Sequence, residues 1–309
     1  MLNDAHCHFF SSRLFATLAR QRSASQPGND TDDALSDALC KELQWDAPGP
    51  AAMLADRWVA ELDANGVERS ALIASIPGDE DSVVAAIASH RDRFVGFFML
   101  DPSAADAVPR ARRALGELGL RTICLFPAMH HIQLDDDRTR QVVRVAAETP
   151  GAAVFVHCGV LSVGVRKKLG LPSPYEIRFG NPLDLHALAI AHPSVPIIIP
   201  HFGAGLLREA LMIADLCPNI LFDTSSSNGW IKYMPELTLH AVFKQALAVV
   251  GPDRLLFGSD SSFFPRGWVK AVYEQQSATL DALGVDDGVK KKIFGGNFDR
   301  VFPVDQCRP

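Results

Sequence analysis

The chain opens with Leu2-Asn3-Asp4-Ala5-His6-Cys7-His8-Phe9-Phe10, a short and partly apolar stretch that is typical of a β-strand. Side chains two residues apart lie on the same face of a strand, so His6 and His8 can converge on one metal ion while Cys7 faces away. Three later apolar runs also lead into a side chain of the metal-ligand type: Val154-Phe155-Val156-His157, Ile197-Ile198-Ile199-Pro200-His201 and Leu255-Leu256-Phe257-Gly258-Ser259-Asp260. Strands that end in this way predict one shared site.

Strand-like runs recur along the whole chain, with helical segments between them. We predict eight strands, at residues 1–8, 70–76, 94–100, 122–126, 153–157, 196–201, 219–223 and 254–259. Helical periodicity is clearest at 107–118, 138–148, 206–217 and 237–250. This alternation favours a closed (β/α)8 TIM barrel over an open doubly wound sheet, and no G-x-G-x-x-G follows the first strand. We expect residues 1–309 to form a single α/β domain of this type.

Composition excludes several classes of partner. The chain is 48% hydrophobic and 21% charged, which is typical of a globular enzyme with a sizeable core. A net charge of −6 gives no electrostatic footprint for nucleic acid, and no apolar run is long enough to span a membrane. The start shows no signal-peptide pattern. Six scattered cysteines without a C-x-x-C pair indicate free thiols in a reducing compartment, so we expect a cytoplasmic protein.

Two connections are too long to be simple loops. The first covers residues 11–50 and contains a helix-like stretch at 13–22; the second covers 159–181 and is rich in Gly, Pro, Arg and Lys. Both follow strands that carry histidine, so both should lie over the mouth of the barrel. Long excursions at that face are typical of substrate lids. Contacts between subunits are the other interpretation, and one segment can serve both roles.

A parallel barrel delivers the carboxyl ends of all its strands to one face, so the histidines and the aspartate named above should meet there. Imidazole and carboxylate ligands with one open position suit Zn²⁺ in hydrolysis. Such an ion lowers the pKa of a bound water to about 7 and polarises the substrate. Asp260 could both bind the ion and accept a proton from the water. His201 could be a ligand or a general acid/base.

These residues resemble the amidohydrolase superfamily, specifically the amidohydrolase 2 branch related to aminocarboxymuconate-semialdehyde decarboxylase. The segments that carry the resemblance are Asp4-Ala5-His6-Cys7-His8, Phe126-Pro127-Ala128-Met129-His130, Val156-His157, Pro200-His201-Phe202-Gly203-Ala204-Gly205, Asp223-Thr224-Ser225-Ser226, Phe257-Gly258-Ser259-Asp260 and Ile293-Phe294-Gly295-Gly296-Asn297. They extend through nearly the whole chain, and together they are a specific signal.

The resemblance implies one metal ion per chain, usually Zn²⁺ with Mn²⁺ as an option, held by His6, His8, His157 and Asp260. It also implies that His201 lies within hydrogen-bond reach of the water on that metal and acts as acid or base. Two-metal members of the superfamily carry a Lys or Glu at the end of strand four, where this chain has Cys124-Leu125-Phe126-Pro127. We therefore predict a mononuclear site.

Several residues near the predicted mouth could bind substrate. Arg208 and Arg166 could hold a substrate carboxylate by charge-assisted hydrogen bonds, although surface ion pairs are the alternative. His130 and Trp230 could line the pocket, or could instead stabilise a turn and pack in the core. We therefore expect the substrate to be a small carboxylated molecule.

Two enzymatic functions remain open at this point. The first is hydrolysis of a lactone, ester or amide; the second is non-oxidative decarboxylation of an aromatic or muconate-type acid through the same metal. Some decarboxylases of this branch replace the first histidine with Glu, so His6 leans towards hydrolysis. A barrel that only binds ligand is a third reading, but the ligand set is complete. The sequence leaves the oligomeric state open, although the resemblance makes a homodimer possible, since relatives of this kind are often dimers.

Overall fold

The computed structural model describes residues 1–23 and 30–304, so part of the first predicted lid and Cys307 lie outside the described residues. Within these ranges, eight parallel strands follow one another around a barrel in chain order. They are β1 Asn3–Phe9, β2 Arg69–Ala74, β3 Phe94–Met99, β4 Thr122–Leu125, β5 Ala153–Val156, β6 Ile197–Pro200, β7 Ile220–Asp223 and β8 Leu255–Leu256. The (β/α)8 prediction is confirmed.

Backbone hydrogen bonds close the barrel between β8 and β1. Ala5 N donates to Phe257 O at 2.8 Å, and His8 N donates to Ser261 O at 2.7 Å. In the other direction, Asp260 N donates to His6 O at 2.9 Å. The predicted last strand, 254–259, is therefore wrong in length, because the residues after Leu256 bond to β1 and leave the ladder with β7.

Helices fill the connections between the strands. In chain order they are α1 Ser12–Arg22, α2 Asp32–Leu43, α3 Ala51–Ala64, α4 Glu80–Ser89, α5 Ala107–Arg112, α6 Pro127–His130, α7 Asp137–Glu148, α8 Gly164–Lys168, α9 His186–Ala191, α10 Leu207–Leu216, α11 Leu239–Val250, α12 Lys270–Ala282, α13 Asp287–Lys291 and α14 Asn297–Val301. The predicted helix 107–118 is divided, because a π-helical turn over Arg113–Glu117 follows α5. A second π-helical turn, Lys292–Gly296, lies between α13 and α14. None of the helices in the described ranges is long and apolar enough to cross a membrane.

The core has an inner and an outer layer, as alternation along the strands requires. Phe97, Phe155 and Ile198 belong to the cluster inside the barrel. Val154 and Val156, on either side of Phe155, belong to the cluster between the strands and the helices. All of these side chains are buried, so the ends of the strands project from a rigid frame.

The two long connections meet over the mouth of the barrel. Leu14, Phe15 and Leu18 of α1 pack in one buried cluster with Leu39 of α2 and Val165 of α8. The sequence pattern did not predict α2, which begins where the Thr31 hydroxyl accepts a hydrogen bond from Ala34 N at 3.3 Å. Two aspartates in its first turn stabilise the helix further, because their negative charges lie at the positive end of the helix dipole. This packing joins the two connections into one cover.

Candidate active site and metal centre

A cavity of about 800 Å³ lies at the carboxyl ends of the strands. Its floor includes His8, His157, His201 and Asp260, and residues of both long connections form its walls. This is the face where TIM-barrel enzymes carry their active sites. The two predicted lids therefore border the space into which the candidate ligands project.

The Nε2 atoms of His6 and His8 both face one position at the mouth of the barrel. Their Nε2 atoms are 3.2 Å apart. Cys7, between them, is fully buried in the outer cluster, and burial raises the pKa of its thiol. Alternation along β1 therefore presents the two imidazoles to the mouth and turns the thiol away, as the sequence predicts.

Asp260 completes a three-atom cluster with these histidines. Its Oδ1 lies 3.6 Å from His6 Nε2 and 3.5 Å from His8 Nε2. Atoms with these separations share a point about 2 Å from each of them, which is close to the roughly 2.0–2.1 Å between zinc and a histidine nitrogen. Asp260 adopts a left-handed backbone conformation with φ of 60°, an uncommon geometry for a non-glycine residue and one that recurs at functional sites.

His157 and His201 lie next to this cluster. Their ring centroids are 5.2 Å apart, and that of His201 is 5.1 Å from His6. The Nδ1 of His157 is buried and has no hydrogen-bond partner among the residues that the structure describes. A buried imidazole nitrogen without a partner costs free energy, unless its lone pair meets a cation. That nitrogen offers a further imidazole donor next to His6, His8 and Asp260, whose ligand atoms all lie within 4.8 Å of one another; His157 lies outside that group of three.

Hydrogen bonds on Nδ1 set the tautomer of His6 and His8. Asp223 Oδ2 lies 2.6 Å from His6 Nδ1, and a carboxylate can only accept, so His6 donates from Nδ1. Ser75 Oγ donates to Ile73 O at 2.9 Å and therefore accepts from His8 Nδ1 at 2.8 Å. Both Nε2 lone pairs are left free to face the cavity. Such outer partners orient the ligands of metal sites.

Ser225 connects His201 to the same group. Its hydroxyl donates to Asp223 Oδ2 at 2.9 Å and lies 2.9 Å from Nδ1 of both His6 and His201. The Ser225 carbonyl is a further acceptor, 3.2 Å from His201 Nδ1. Because these neighbours accept from Nδ1, the lone pair of His201 also lies on Nε2. His201 is thus arranged as a ligand or a base.

Asp4 ties the two ligand-bearing segments together below the site. Its carboxylate accepts from His6 N at 2.9 Å, Ser259 N at 3.0 Å and Trp268 Nε1 at 2.7 Å. There is no space at Gly258, where a Cβ would lie 2.5 Å from Asp223 Oδ1 and 2.8 Å from His6 Cβ. The start of β1 and the turn after β8 are therefore held in one register.

The protonation of the cluster follows from burial and from its neighbours. Burial, followed by the positive field of His6, lowers the pKa of His8 to about 3. Burial also lowers the pKa of His157 and of His201. For Asp260, burial opposes the charged form, but the neighbouring histidines outweigh it and lower the pKa. His6 differs, because burial opposes its charged form but the carboxylates of Asp223 and Asp260 outweigh it and raise its pKa. The site thus combines three neutral imidazoles, those of His8, His157 and His201, with the ionised carboxylate of Asp260, a state that favours a cation.

The walls of the cavity are cationic and aromatic. Asp260 is the acidic residue among those that line the cavity. Four basic side chains also line it: Arg13, Arg166, Lys168 and Arg266. Within residues 1–23 and 30–304, none of the four forms an ion pair with a carboxylate. Phe10, Trp45, Phe126 and Phe263 supply aromatic surface. A ligand with an apolar body and a negative charge matches this wall.

The predicted substrate-binding residues are divided between the cavity and other places. Arg166 and His130 line the cavity, and burial lowers the pKa of His130. Arg208 lies elsewhere, with 83% of its side chain exposed and an ion pair to Glu209. Trp230 is buried in the outer core and donates from Nε1 to Asn228 Oδ1 at 3.0 Å. The structure does not bring either of these two residues to the cavity wall.

Sequence reasoning did not assign roles to Asp223, Ser225 and Arg266. Asp223 ends the apolar β7 as Asp260 follows β8, so the same strand-end signal was present. Arg266 lies six residues beyond Asp260 in the connection that begins at the mouth, which was the available signal for it. The contacts of Ser225 required coordinates, because serine is common in turns.

Comparison with solved structures finds similar barrels with different chemistry. A 5-carboxyvanillate decarboxylase from Novosphingobium aromaticivorans, with bound manganese and 3-methoxy-4-hydroxy-5-nitrobenzoic acid, has a TM-score of 0.65 at 16% identity, covering 98% of this chain and 97% of that one. A probable 2-pyrone-4,6-dicarboxylic acid hydrolase from Acinetobacter baumannii, with bound citric acid, has 0.59 at 14% identity, covering 97% and 98%. A zinc-bound amidohydrolase from Burkholderia multivorans has 0.59 at 15% identity, covering 98% and 99%. At these identities the likeness establishes the fold alone.

A comparison with curated proteins gives no significant match. The amidohydrolase family model, Amidohydro_2, matches residues 4–304, which is nearly the whole chain. That range includes every residue of the candidate metal centre, from His6 to Asp260. The chain belongs to the amidohydrolase family.

Proposed function

We propose that this protein is a mononuclear metal-dependent hydrolase, using zinc or manganese, that opens a lactone, ester or amide in a small carboxylated compound. One observation carries the proposal. The Nε2 atoms of His6 and His8 and Oδ1 of Asp260 lie within 4.8 Å of one another beside the cavity floor. His157 and His201 adjoin them, so the donor set leaves room for both an ion and a substrate.

A divalent ion bound here would polarise the substrate carbonyl and lower the pKa of a water molecule. Asp260 is ionised, and its side chain is 35% exposed, so its carboxylate can accept a proton from the attacking water. His201 presents the lone pair of Nε2, so it can orient that water or pass a proton to the leaving group. Asp223 and Ser225 keep the acceptor side of these rings turned towards the cavity.

The cavity wall supports a carboxylated substrate. Unpaired guanidinium and ammonium groups attract a carboxylate, and the surrounding aromatic side chains suit an apolar ring. A volume of about 800 Å³ is within the range of pockets that hold small molecules. Arg166 and His130 contribute to this wall, so both are candidates for contact with the substrate.

Non-oxidative decarboxylation of an aromatic acid is the second candidate. The aromatic surface of Phe10, Trp45, Phe126 and Phe263 favours it, because these rings can hold a flat substrate over the floor. Asp260 or His201 would then deliver the proton to carbon in place of carbon dioxide. Both reactions use the same side chains, so the products distinguish them.

Isotope labelling tests the two reactions in one experiment. Protein loaded with zinc or manganese would be incubated with a panel of aryl lactones, esters and hydroxybenzoic acids in ¹⁸O water or in D₂O. Hydrolysis incorporates one solvent oxygen into the product and releases no carbon dioxide. Decarboxylation releases carbon dioxide and places deuterium on carbon.

Asp260→Asn serves as the matched control for background reaction, since it retains an oxygen ligand but lacks the base. We expect solvent ¹⁸O in the product with the wild-type protein and almost none with the variant. Carbon dioxide release with deuterium incorporation would reject hydrolysis and support decarboxylation, the second candidate. Absence of both signals across the panel with metal-loaded protein would contradict the proposed function.

A further inference from the structure

Arg266 is held at the cavity wall immediately beside the candidate metal centre. Its Nη2 donates to the Asp260 carbonyl oxygen at 2.9 Å and to Ser262 Oγ at 2.8 Å. Its guanidinium carbon lies 4.8 Å from the centre of the Phe263 ring, which stacks in turn on Trp45. These contacts fix the orientation of the cation without neutralising it.

In the described part of the chain, Arg266 forms no ion pair with a carboxylate. Among the residues that the structure describes, its Nε and Nη1 have no hydrogen-bond acceptor, and its contact with Asp260 is to the backbone. A guanidinium that is exposed to the cavity, held in one orientation and free of an ion pair can accept an anion without first breaking another contact.

We propose that Arg266 binds a carboxylate of the substrate and makes the enzyme selective for anionic over neutral compounds. This inference rests on the proposed function, since it assigns the anion-binding residue of the same site. The two hydrogen bonds at Nη2 use both of its N–H groups, so the carboxylate would be bound through Nη1 or through Nε, which face different sides of the guanidinium.

The other cations of the cavity are less suited to this role. Arg166 donates to Pro172 O at 2.6 Å and to Gln21 Oε1 at 2.5 Å, so its guanidinium joins α8 to α1. Arg13 lies on α1 and Lys168 at the end of α8, both within the cover. Arg266 lies in the connection after β8 and donates to the backbone of Asp260, a predicted ligand. An anion held there lies next to the reacting atoms.

The experiment measures binding, and therefore does not depend on turnover. Metal-loaded wild-type protein and Arg266→Met would be titrated calorimetrically with benzoate and isophthalate, and with the neutral benzamide as reference. Arg178→Met is the matched control, because Arg178 also lies over a neighbouring ring, 4.7 Å from the centre of Phe179, but pairs with Glu176. Metal content would be measured for each protein.

We expect Arg266→Met to lose at least about 10-fold in affinity for the carboxylates, with unchanged affinity for benzamide and unchanged metal content. Arg266→Lys should recover part of the lost affinity for the carboxylates, because it keeps the positive charge. Arg178→Met should bind the carboxylates like the wild type. Equal carboxylate affinity in Arg266→Met, or failure of the wild-type protein to bind either acid at millimolar concentration, would overturn the assignment. So would loss of metal from Arg266→Met, which would make Arg266 a positioning residue for Asp260.

These outcomes separate the inference from the proposed function. Carboxylate binding that depends on Arg266, in a protein that turns over no lactone, ester or amide, would keep the anion site and reject hydrolysis. Turnover with no preference between an anionic substrate and its neutral counterpart would keep hydrolysis and reject the anion site.

Discussion

At the scale of single residues, the candidate centre depends on which nitrogen of each imidazole carries the proton. Asp223, Ser75 and Ser225 accept from Nδ1 of the three histidines that they contact. This leaves the Nε2 lone pairs of His6, His8 and His201 available in the cavity. The outer partners are therefore as important to the site as the ligands themselves.

Asp260 has two roles, which a conservative substitution can separate. Asp260→Asn keeps an oxygen that can bind metal but removes the group that accepts the proton. We expect metal content near that of the wild type and a fall in kcat of at least about 10²-fold. Metal analysis together with steady-state kinetics checks this expectation. A fully active variant with metal bound would show that Asp260 is not the base.

Asp223 is expected to act on metal affinity through His6. In Asp223→Asn the amide can donate to Nδ1, which favours the tautomer whose proton lies on Nε2 and blocks the lone pair. We expect metal affinity to fall by about 10- to 100-fold, measured by competition with a chelator. Asp253→Asn, which removes an exposed carboxylate paired with Lys292 at 2.8 Å, is the control. Unchanged metal affinity in Asp223→Asn would show that His6 binds the ion equally well without this carboxylate.

At the scale of elements, the cover over the barrel is anchored at both ends. Ser11 Oγ accepts from Leu14 N at 3.2 Å and donates to Asp79 Oδ2 at 2.5 Å, so the start of α1 is tied to the turn before α4. After α2, Trp45 stacks on Phe263 with 3.6 Å between ring centroids and 12° between planes. The first connection is thereby attached to the turns after β2 and β8.

Trp45 should control how often this cover opens. The stacked pair is worth about 0.5–1.5 kcal/mol beyond the area that it buries, so Trp45→Ala should raise amide exchange in α1 and α2 by about 2- to 10-fold. Hydrogen exchange followed by mass spectrometry reports this directly. Trp45→Phe, which retains a stack, should exchange much like the wild type. Equal protection in Trp45→Ala would contradict a latch at this position.

The strands were predictable from the sequence, whereas parts of the connections were not. Buried parallel strands are apolar runs that end in polar residues, so β5 and β6 were located to within one residue at each end. The helix α2 was missed because it buries few side chains and its polar sequence resembles a loop. The length of β8 was overestimated because apolar content does not tell which neighbouring strand the backbone will join.

A similar limit explains why the sequence favoured Arg208 over Arg266 as a substrate-binding residue. Arg208 and Arg266 both follow a strand that carries a candidate ligand, and sequence spacing favoured the first of them. The structure turns Arg208 outward to Glu209 and turns Arg266 onto Phe263 at the cavity wall. Which way a side chain points from a loop or a helix end depends on packing with distant residues, and the sequence does not give that packing.

At the scale of the whole molecule, the barrel assembles one site from both ends of the chain. His6 and Asp260 approach within 3.6 Å only because β1 closes on β8, and Asp4 reinforces that closure from below. The ligands are therefore brought together by the folded state and dispersed in the unfolded one. Metal binding should consequently stabilise the fold.

Thermal unfolding measures this linkage. Binding to the native state alone adds about 2.7 kcal/mol when free metal is a hundredfold above its dissociation constant. We expect the Tm to fall when a chelator removes the ion and to recover when zinc or manganese is added back. Asp223→Asn should shift the metal concentration needed for recovery upwards. An identical Tm in the loaded and stripped protein would argue against a bound ion.

Metal content by inductively coupled plasma mass spectrometry tests the central claim, a mononuclear centre held by His6, His8, His157 and Asp260, most directly. The measurement compares the wild type with His8→Ala and with His90→Ala, a histidine that pairs with Asp56 at 2.7 Å outside the site. We predict about one zinc or manganese ion per chain in the wild type and in His90→Ala, and loss of that ion in His8→Ala. Stoichiometric metal in His8→Ala, or no uptake by the wild type after zinc and manganese are supplied, would contradict the account.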